Sequence, residues 1–598
     1  MTTQTETPTS STTMVWGSDA VAAMLRELDL KYAALVPGAS YRGLHDSIVN
    51  YLGNENPQML LCLHEEHSVA IAHGYAKVTG KPMLAVVHSN VGLMHASMAI
   101  FNAFADRAPV LILGANGPVD AMKRRPWIDW IHTTQDMGAL VRSYTKWDDQ
   151  PGSPGAAIES LLRAYQIACT LPHGPTVVFL DADVQEQKLS APLALPPVAK
   201  YAPPHEAAPD AADVASVLGA LNAAQHPVIL AGRGARTLEA WNARVALAEA
   251  VNAHVVSNYQ SGATFPTGHP LYLGQSRTPA ASAALRAADV ILDLDSLDLA
   301  GTLKGVFAGK PIGAKVISAS IDRYVHNGWS MDYQALPALD INLATSPDAL
   351  VGALLTALGN PKPAAAGANG AKPAAAKTNG AAAGGAEIGI DAFSHAVAAA
   401  FAAHEVCFTR LPLGVNESDF NFNHPLDYLG GDGGGGIGSG LGTSVGAALA
   451  LRGSSRLPVC VTGDGDFLMG NTALWTAVQS KIPLLVIVAN NRSFYNDEVH
   501  QERMAVVRGR PVDRKWIGQR IDDPPPDMAG FARAQGAIGI GPVTDRNAIG
   551  AAIAEGIRHV KDGHVCVIDV IVLPEYSAGV GPGVTAMPEN TRSHDERG

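Results

Sequence analysis

The stretch PVCVTGDGDFLMGNTALWTAVQSKIPLLVIVANNRS holds an acid and an amide where they can act together. An apolar run delivers Gly463-Asp464-Gly465, a helical segment follows, and a second apolar run ends in Asn490-Asn491. As neighbouring strands of a parallel sheet, the two runs open on the same edge, where α/β folds bind ligands. Asp464 and Asn491, 27 positions apart, then converge on one point. A carboxylate, an amide oxygen and a backbone carbonyl form a hard-oxygen set suited to Mg²⁺ with a phosphate. The glycines and the helix start beyond them offer N–H groups to a diphosphate. A lone GDG is more often a tight turn; GDG and NN on successive strands reverse that weighting. A second acidic stretch, LCLHEEHSVAIAHGYAKVTG, sets Glu65 and Glu66 at a helix start, where acids are favourable on electrostatic grounds alone.

The elements that must position these residues share one grammar. From residue 14 to 190, the runs KYAALV, MLLCL, MLAVVHS, PVLILGA and PTVVFLDA have buried-strand length. Helical spacing fills EHSVAIAHGYAKVTG and GLMHASMAIFNAFADRA between them. Strands that are continuously apolar and alternate with helices predict a parallel sheet covered on both faces. After the Pro/Ala stretch APLALPPVAKYAPPHEAAPD, a second region over 205–357 repeats the pattern with PVILAG, HVVSNY, ADVILDLDS and AKVISAS. Residues 358–387 are largely Pro, Ala and Gly and read as a flexible linker. A third region, 388–575, carries PVCVTG, PLLVIVA and HVCVIDVIV. The expected fold is α/β, with three doubly wound parallel-sheet domains between a disordered tail (1–13) and a C-terminal tail (576–598).

Composition narrows the function. The 598 residues suffice for about three to five domains. With 43 Lys+Arg against 55 Asp+Glu the net charge is −12, and without basic clusters a nucleic-acid partner is not expected. The five cysteines are scattered and form no CxxC pair, which excludes a zinc ribbon and points to a reducing, cytoplasmic compartment. No apolar run reaches the ~18 residues of a membrane span. The leading MTTQTETPTSSTT has neither the basic start nor the apolar core of a signal peptide.

At GDG and NN, with 24 residues between Gly465 and Asn490, the sequence resembles the thiamine-diphosphate-dependent enzymes, and the resemblance runs over about residues 14–575. It implies pyrimidine-binding, central and diphosphate-binding domains in that order. It implies that Asp464, Asn491 and the Ser493 carbonyl hold Mg²⁺, with Gly465 and Asp466 along the diphosphate. The family's HE-x8-GYA pattern falls on His64-Glu65 and Gly74-Tyr75-Ala76, making Glu65 the acid that bonds the aminopyrimidine ring. A carboxyl there favours the imino tautomer, which removes the thiazolium C2 proton. Glu66 and His67 are expected to be structural. The stretch Gly430–Gly442 contains GxGxxG matches, such as Gly433 to Gly438, but no clear strand precedes it and no ribose-binding acid follows, so it is not a dinucleotide loop. Gly435-Gly436-Ile437-Gly438 resembles instead the family's element in which a bulky residue, here Ile437, wedges between the cofactor rings. The Gly435 carbonyl then accepts from the amino group.

Among family members, His88-Ser89 at a strand end, ATFPTGHPLYLG and TALWTAVQSKIP resemble the benzoylformate decarboxylases. The sequence departs from them where their active-site serine falls on Ala39, so that role is missing or moved to Ser40. Their central-domain histidine has no counterpart in DLDSLDLAGTLKG. Asp497, six residues after Asn491, stands where pyruvate decarboxylases carry a catalytic glutamate, and reads equally as a proton relay or a helix-capping acid. The expected function is thiamine-diphosphate and Mg²⁺-dependent decarboxylation of a 2-oxo acid to an aldehyde, with His88 as acid–base, in a homodimer or homotetramer. The runner-up is an acetolactate-synthase-type carboligase that joins the same intermediate to an aldehyde or ketone acceptor. A third reading is a non-catalytic cofactor-binding protein. FAD, present in some carboligase relatives, is left undecided.

Overall fold

Runs such as Val110–Asn116 and Leu484–Asn490 are buried along their whole length, because helices cover both faces of each sheet. The computed structural model describes residues 13–258, 261–321, 336–363, 387–431 and 433–577; most of the two expected tails and of the expected linker lie outside them. The first sheet contains β1 (Tyr32–Leu35), β2 (Gln58–Leu61), β3 (Met83–Val87), β4 (Val110–Asn116), β5 (Trp147–Asp149) and β6 (Thr176–Asp181), in the order β2-β1-β3-β4-β6-β5. The second contains β7 (Pro227–Ala231), β8 (His254–Ser257), β9 (Tyr272–Gln275), β10 (Val290–Leu294), β11 (Lys315–Ala319) and β12 (Ile341–Leu343), in the order β12-β11-β10-β7-β8-β9. The third contains β13 (Val406–Arg410), β14 (Leu457–Gly463), β15 (Leu484–Asn490), β16 (Ile538–Val543) and β17 (Val565–Ile571), in the order β13-β14-β15-β17-β16. Every strand pair in the three sheets is parallel, the expected architecture.

Five of these strands, β5, β9, β12, β13 and β16, were not among the expected runs, and each lies at an edge of its sheet. An edge strand is covered on fewer sides, so it need not be continuously apolar. Four of the five are indeed half-buried or exposed over much of their length.

The first and third domains are joined by two helices, Glu65–Thr79 and Gly440–Ala450, that cross almost backbone to backbone. A Cβ on Gly74 would lie 1.8 Å from the Thr443 carbonyl oxygen, and one on Gly446 would lie 1.9 Å from that of Ile71. Ala70, Ile71, Leu441 and Val445 are fully buried around the crossing and share one apolar cluster with Phe467 and Leu474. All five cysteines are free of disulfides. No helix among the described residues is long and apolar enough to cross a membrane.

If the crossing is as tight as these distances require, Gly446→Ala lowers stability by about 1–3 kcal/mol through overpacking. Gly219→Ala, in the Ala211–Ala223 helix where a Cβ meets nothing within 4 Å, is neutral or stabilising by up to about 1 kcal/mol. Denaturant unfolding of both variants checks the contrast, and equal effects would refute the tight crossing.

Candidate active site

β14 and β15 are register neighbours, with Gly463 opposite Ala489, so their C-terminal ends release Asp464 and Asn491 side by side. The Ser493 amide makes this convergence visible: it donates to Asp464 Oδ2 at 3.1 Å and to Asn491 Oδ1 at 2.9 Å. Asn490 turns the other way and ties the strand end to Asp569 of β17 (2.9 Å). Asp464 is 2 % exposed. Burial pushes its carboxyl up to about 6, although the Gly465 and Ser493 amides pull it down. No lysine or arginine side chain bonds it among the described residues. A buried carboxylate without a compensating charge, beside an amide oxygen, fits a hard divalent cation. Among the described residues no three His, Cys, Asp or Glu side chains are grouped to hold a metal. The cation would thus rest on Asp464, Asn491 and the Ser493 carbonyl, with phosphate oxygens completing the shell, as Mg²⁺ commonly does. Gly465 keeps the turn narrow, since a Cβ there would sit 2.6 Å from the Phe494 ring.

Asp466 has different partners. Its carboxylate accepts from the Gly438 amide (2.5 Å) and the Thr462 hydroxyl (2.5 Å), and pairs with Arg410 (2.7 Å). It therefore clamps the glycine loop onto the end of β14. The loop itself lies flush on the Ser89–Ala105 helix of the first domain: Cβ atoms on Gly434 and Gly436 would meet Asn102 Oδ1 and Met98 Cε at 2.4 and 2.5 Å. Gly435 has φ +66 and Gly438 φ +110, the left-handed region that glycine alone enters freely. Ile437, between them, is 42 % exposed.

That same helix reaches Glu65. Glu65 is buried at the first turn of the Glu65–Thr79 helix. Its Oε1 lies 3.0 Å from where a Gly92 Cβ would be, and its Oε2 accepts from His95 Nδ1 at 3.0 Å. Gly92, His95, Met98 and Asn102 fall within about 120° on a helix of 3.6 residues per turn. One helix face thus spans from the acid to the glycine loop. Glu66 closes the gap from the other side, accepting from Ser439 Oγ, which also receives Asn102 Nδ2 at 2.9 Å. His67 places Nδ1 3.0 Å from Glu66 and Nε2 2.8 Å from Thr472 Oγ1. Burial raises the Glu66 carboxyl, but the His67 and Ser439 hydrogen bonds outweigh it and the net shift is downward. Both residues are bridges between domains.

His88 caps the Ser89–Ala105 helix at the end of β3. Ser40 Oγ, not Ala39, reaches it, 2.8 Å from Nδ1, and the Gln185 side chain anchors the Ser40 carbonyl at 2.9 Å. Gly38 is required here, because a Cβ would overlap the His88 ring. His132 meets His88 edge-on at 5.0 Å between centroids. Burial, then the charge of His132, lowers the His88 pKa and keeps the imidazole neutral near pH 7. Neither His95 nor His132 was expected from the sequence, since no spacing rule links them to Glu65 or His88. Asp497 is exposed in the first turn of the Tyr495–Val507 helix. The next residue, Glu498, is 1 % exposed and accepts from Ser493 Oγ (2.5 Å) and Arg520 Nε (3.1 Å), bracing the loop that carries Ser493.

The chain matches three models of thiamine pyrophosphate enzymes: the N-terminal TPP binding domain over residues 15–139, the central domain over 214–324 and the C-terminal TPP binding domain over 414–570. It is 29% identical to the acetolactate synthase large subunit of Lactococcus lactis over 297 residues, spanning 49% of this chain and about half (48%) of that relative. It is 25% identical to the acetolactate synthase large subunit of Haemophilus influenzae over 558 residues, 88% of this chain and 89% of that one. Its fold matches the thiamine diphosphate-dependent 4-hydroxybenzoylformate decarboxylase of Rhodococcus jostii RHA1 with a TM-score of 0.71 at 20% identity, covering 94% of this chain and 99% of that chain. With its three parallel sheets, its acid–amide pair at adjoining strand ends and all three domain models in order, the chain belongs to the thiamine pyrophosphate enzymes.

Proposed function

We propose that the protein decarboxylates a 2-oxo acid to an aldehyde, using thiamine diphosphate and Mg²⁺. When bound, the cofactor supplies a carbon nucleophile that adds to the keto carbon and takes up the electron pair left by carbon dioxide. The chain's own residues do the rest. Asp464, Asn491 and the Ser493 carbonyl hold the cation, and Gly465 leaves room for the diphosphate. The Gly435 carbonyl and the exposed Ile437 side chain position the rings, with Asp466 holding their loop in place. Glu65 bonds the pyrimidine ring.

The observation that carries the decarboxylase reading is His88. It sits at a strand end of the domain that bears Glu65, stays neutral, and has Nδ1 engaged by Ser40. An imidazole of fixed orientation that takes up a proton from solvent can give it, as imidazolium, to the carbon that lost carbon dioxide and then, neutral again, take one from the alcohol, the two transfers that release an aldehyde. Asp497, on the solvent side of its helix, is proposed as a relay to bulk water. The assembly is proposed to be a homodimer or homotetramer, supported by Val91, Met94, Met98 and Met469, which are 36–59 % exposed. The acetolactate synthase relatives favour a second reading, carboligation, in which an acceptor carbonyl meets the same carbon before a proton does. A visible absorption spectrum answers the FAD question.

Product analysis with pyruvate, benzoylformate and branched 2-oxo acids, with and without an aldehyde acceptor, tests the choice. Aldehyde is expected as the main product; almost exclusive acyloin would replace decarboxylation by carboligation. Asp464→Ala is expected to fold but to lose Mg²⁺-dependent retention of thiamine diphosphate in calorimetric titration. His88→Ala should slow aldehyde release by about 10²–10⁴-fold and raise the acyloin-to-aldehyde ratio. Ser40→Ala, which removes one hydrogen bond, should slow it by about tenfold. An unchanged ratio and turnover in His88→Ala would remove His88 from the mechanism.

A further inference from the structure

Glu65 is held by a residue 30 positions away that no family pattern pointed to. His95 Nδ1 donates to Glu65 Oε2 at 3.0 Å, while the other carboxylate oxygen carries no partner among the described residues. The His95 side chain is 49 % exposed, so apolar packing does not explain why it points at a buried acid. Its ring is stacked on that of His64, 4.9 Å between centroids and 26° between planes. His64 is itself fixed, since its Nδ1 accepts from the Glu66 amide at 3.2 Å and caps the helix that begins with Glu65. Gly92, one turn before His95, gives the carboxylate its room.

We propose that His95 is a positioning residue for Glu65: its Nδ1–H fixes one carboxylate oxygen, leaving the other for the pyrimidine ring. This rests on Glu65 being the pyrimidine acid. The neutral imidazole donates one hydrogen bond and leaves Glu65 its negative charge. The other titratable groups around the pair are His64, Glu66 and His67 from the same helix start, His88 and His132 at the cap of the His95 helix, and Tyr41 and Cys62 behind Glu65. Among the described residues, the third domain contributes the hydroxyls of Ser439 and Thr472, which do not titrate in this range.

The test measures C2-proton exchange of bound thiamine diphosphate with Mg²⁺ against pH in wild type, His95→Asn, His95→Leu and Glu65→Gln. His95→Asn keeps a donor near the Nδ1 position but cannot become a cation. It should exchange within about threefold of wild type at neutral pH. His95→Leu should be slower by roughly ten- to a hundredfold at every pH, the size of a hydrogen bond to a charged group. Exchange in His95→Leu within about threefold of wild type, or exchange in His95→Asn as slow as in His95→Leu, overturns the proposal. Exchange undiminished in Glu65→Gln would instead overturn the role of Glu65.

Discussion

Much of this molecule depends on two helices being allowed to touch through their backbones. Gly74 and Gly446 leave no side chain between the Glu65–Thr79 and Gly440–Ala450 helices, and each approaches a carbonyl of the other helix closer than any Cβ could. The close approach maximises dispersion contacts between two elements that are apolar at the crossing. Its more specific consequence is positional. Both helices begin at the site, one at Glu65 and the other just after the Gly435–Gly438 loop, so their crossing fixes the distance between the acid and the loop. The polar bridges Glu66–Ser439 and His67–Thr472 sit at that end of the crossing and depend on it.

Charge burial sets Asp464 apart from several acids around the site. Asp106, Asp466 and Glu498 are each matched by a cation: Lys77 and His73, Arg410, and Arg520. For Asp106, burial raises the carboxyl, but Lys77 and His73 override it and hold it well below the usual range. Asp464 has only amide donors, and burial wins. An unmatched buried carboxylate is costly in an isolated chain, and a chain that keeps one at a ligand-binding sheet edge leaves the matching charge to be supplied from outside. The charge pattern and the strand topology point to the same place by independent routes.

Decarboxylase and carboligase share all of this apparatus and differ in whether a proton or a carbonyl reaches one carbon first. On the proposed reading that competition turns on His88, which Ser40, His132 and the narrow Gly38 turn surround. Global similarity therefore says little about it: the fold and most of the core are common to both outcomes.

Several features were legible in the sequence alone. The central strands announced themselves because burial on both faces demands uninterrupted apolar runs. GDG and NN did so because they place an acid and an amide at adjoining strand ends, and HE-x8-GYA because its acid opens a helix. Other features were decided only by the tertiary structure. Edge strands such as β5 and β9 lack the double burial that makes a strand readable. Asp497 and Glu498 are adjacent acids about 100° apart on a helix, and only packing determined that Glu498 turns inward to Ser493 while Asp497 faces solvent. Asp466 could be placed beside the diphosphate by its motif, yet its hydrogen-bond partners come from β13, β14 and the glycine loop. Ser40 and His95 act on residues tens of positions away, across the first sheet and between neighbouring helices. Local spacing encodes what one strand, turn or helix must carry. Which side chain from a distant element completes a carboxylate's or an imidazole's hydrogen bonds is set by how those elements pack, and no local pattern records it.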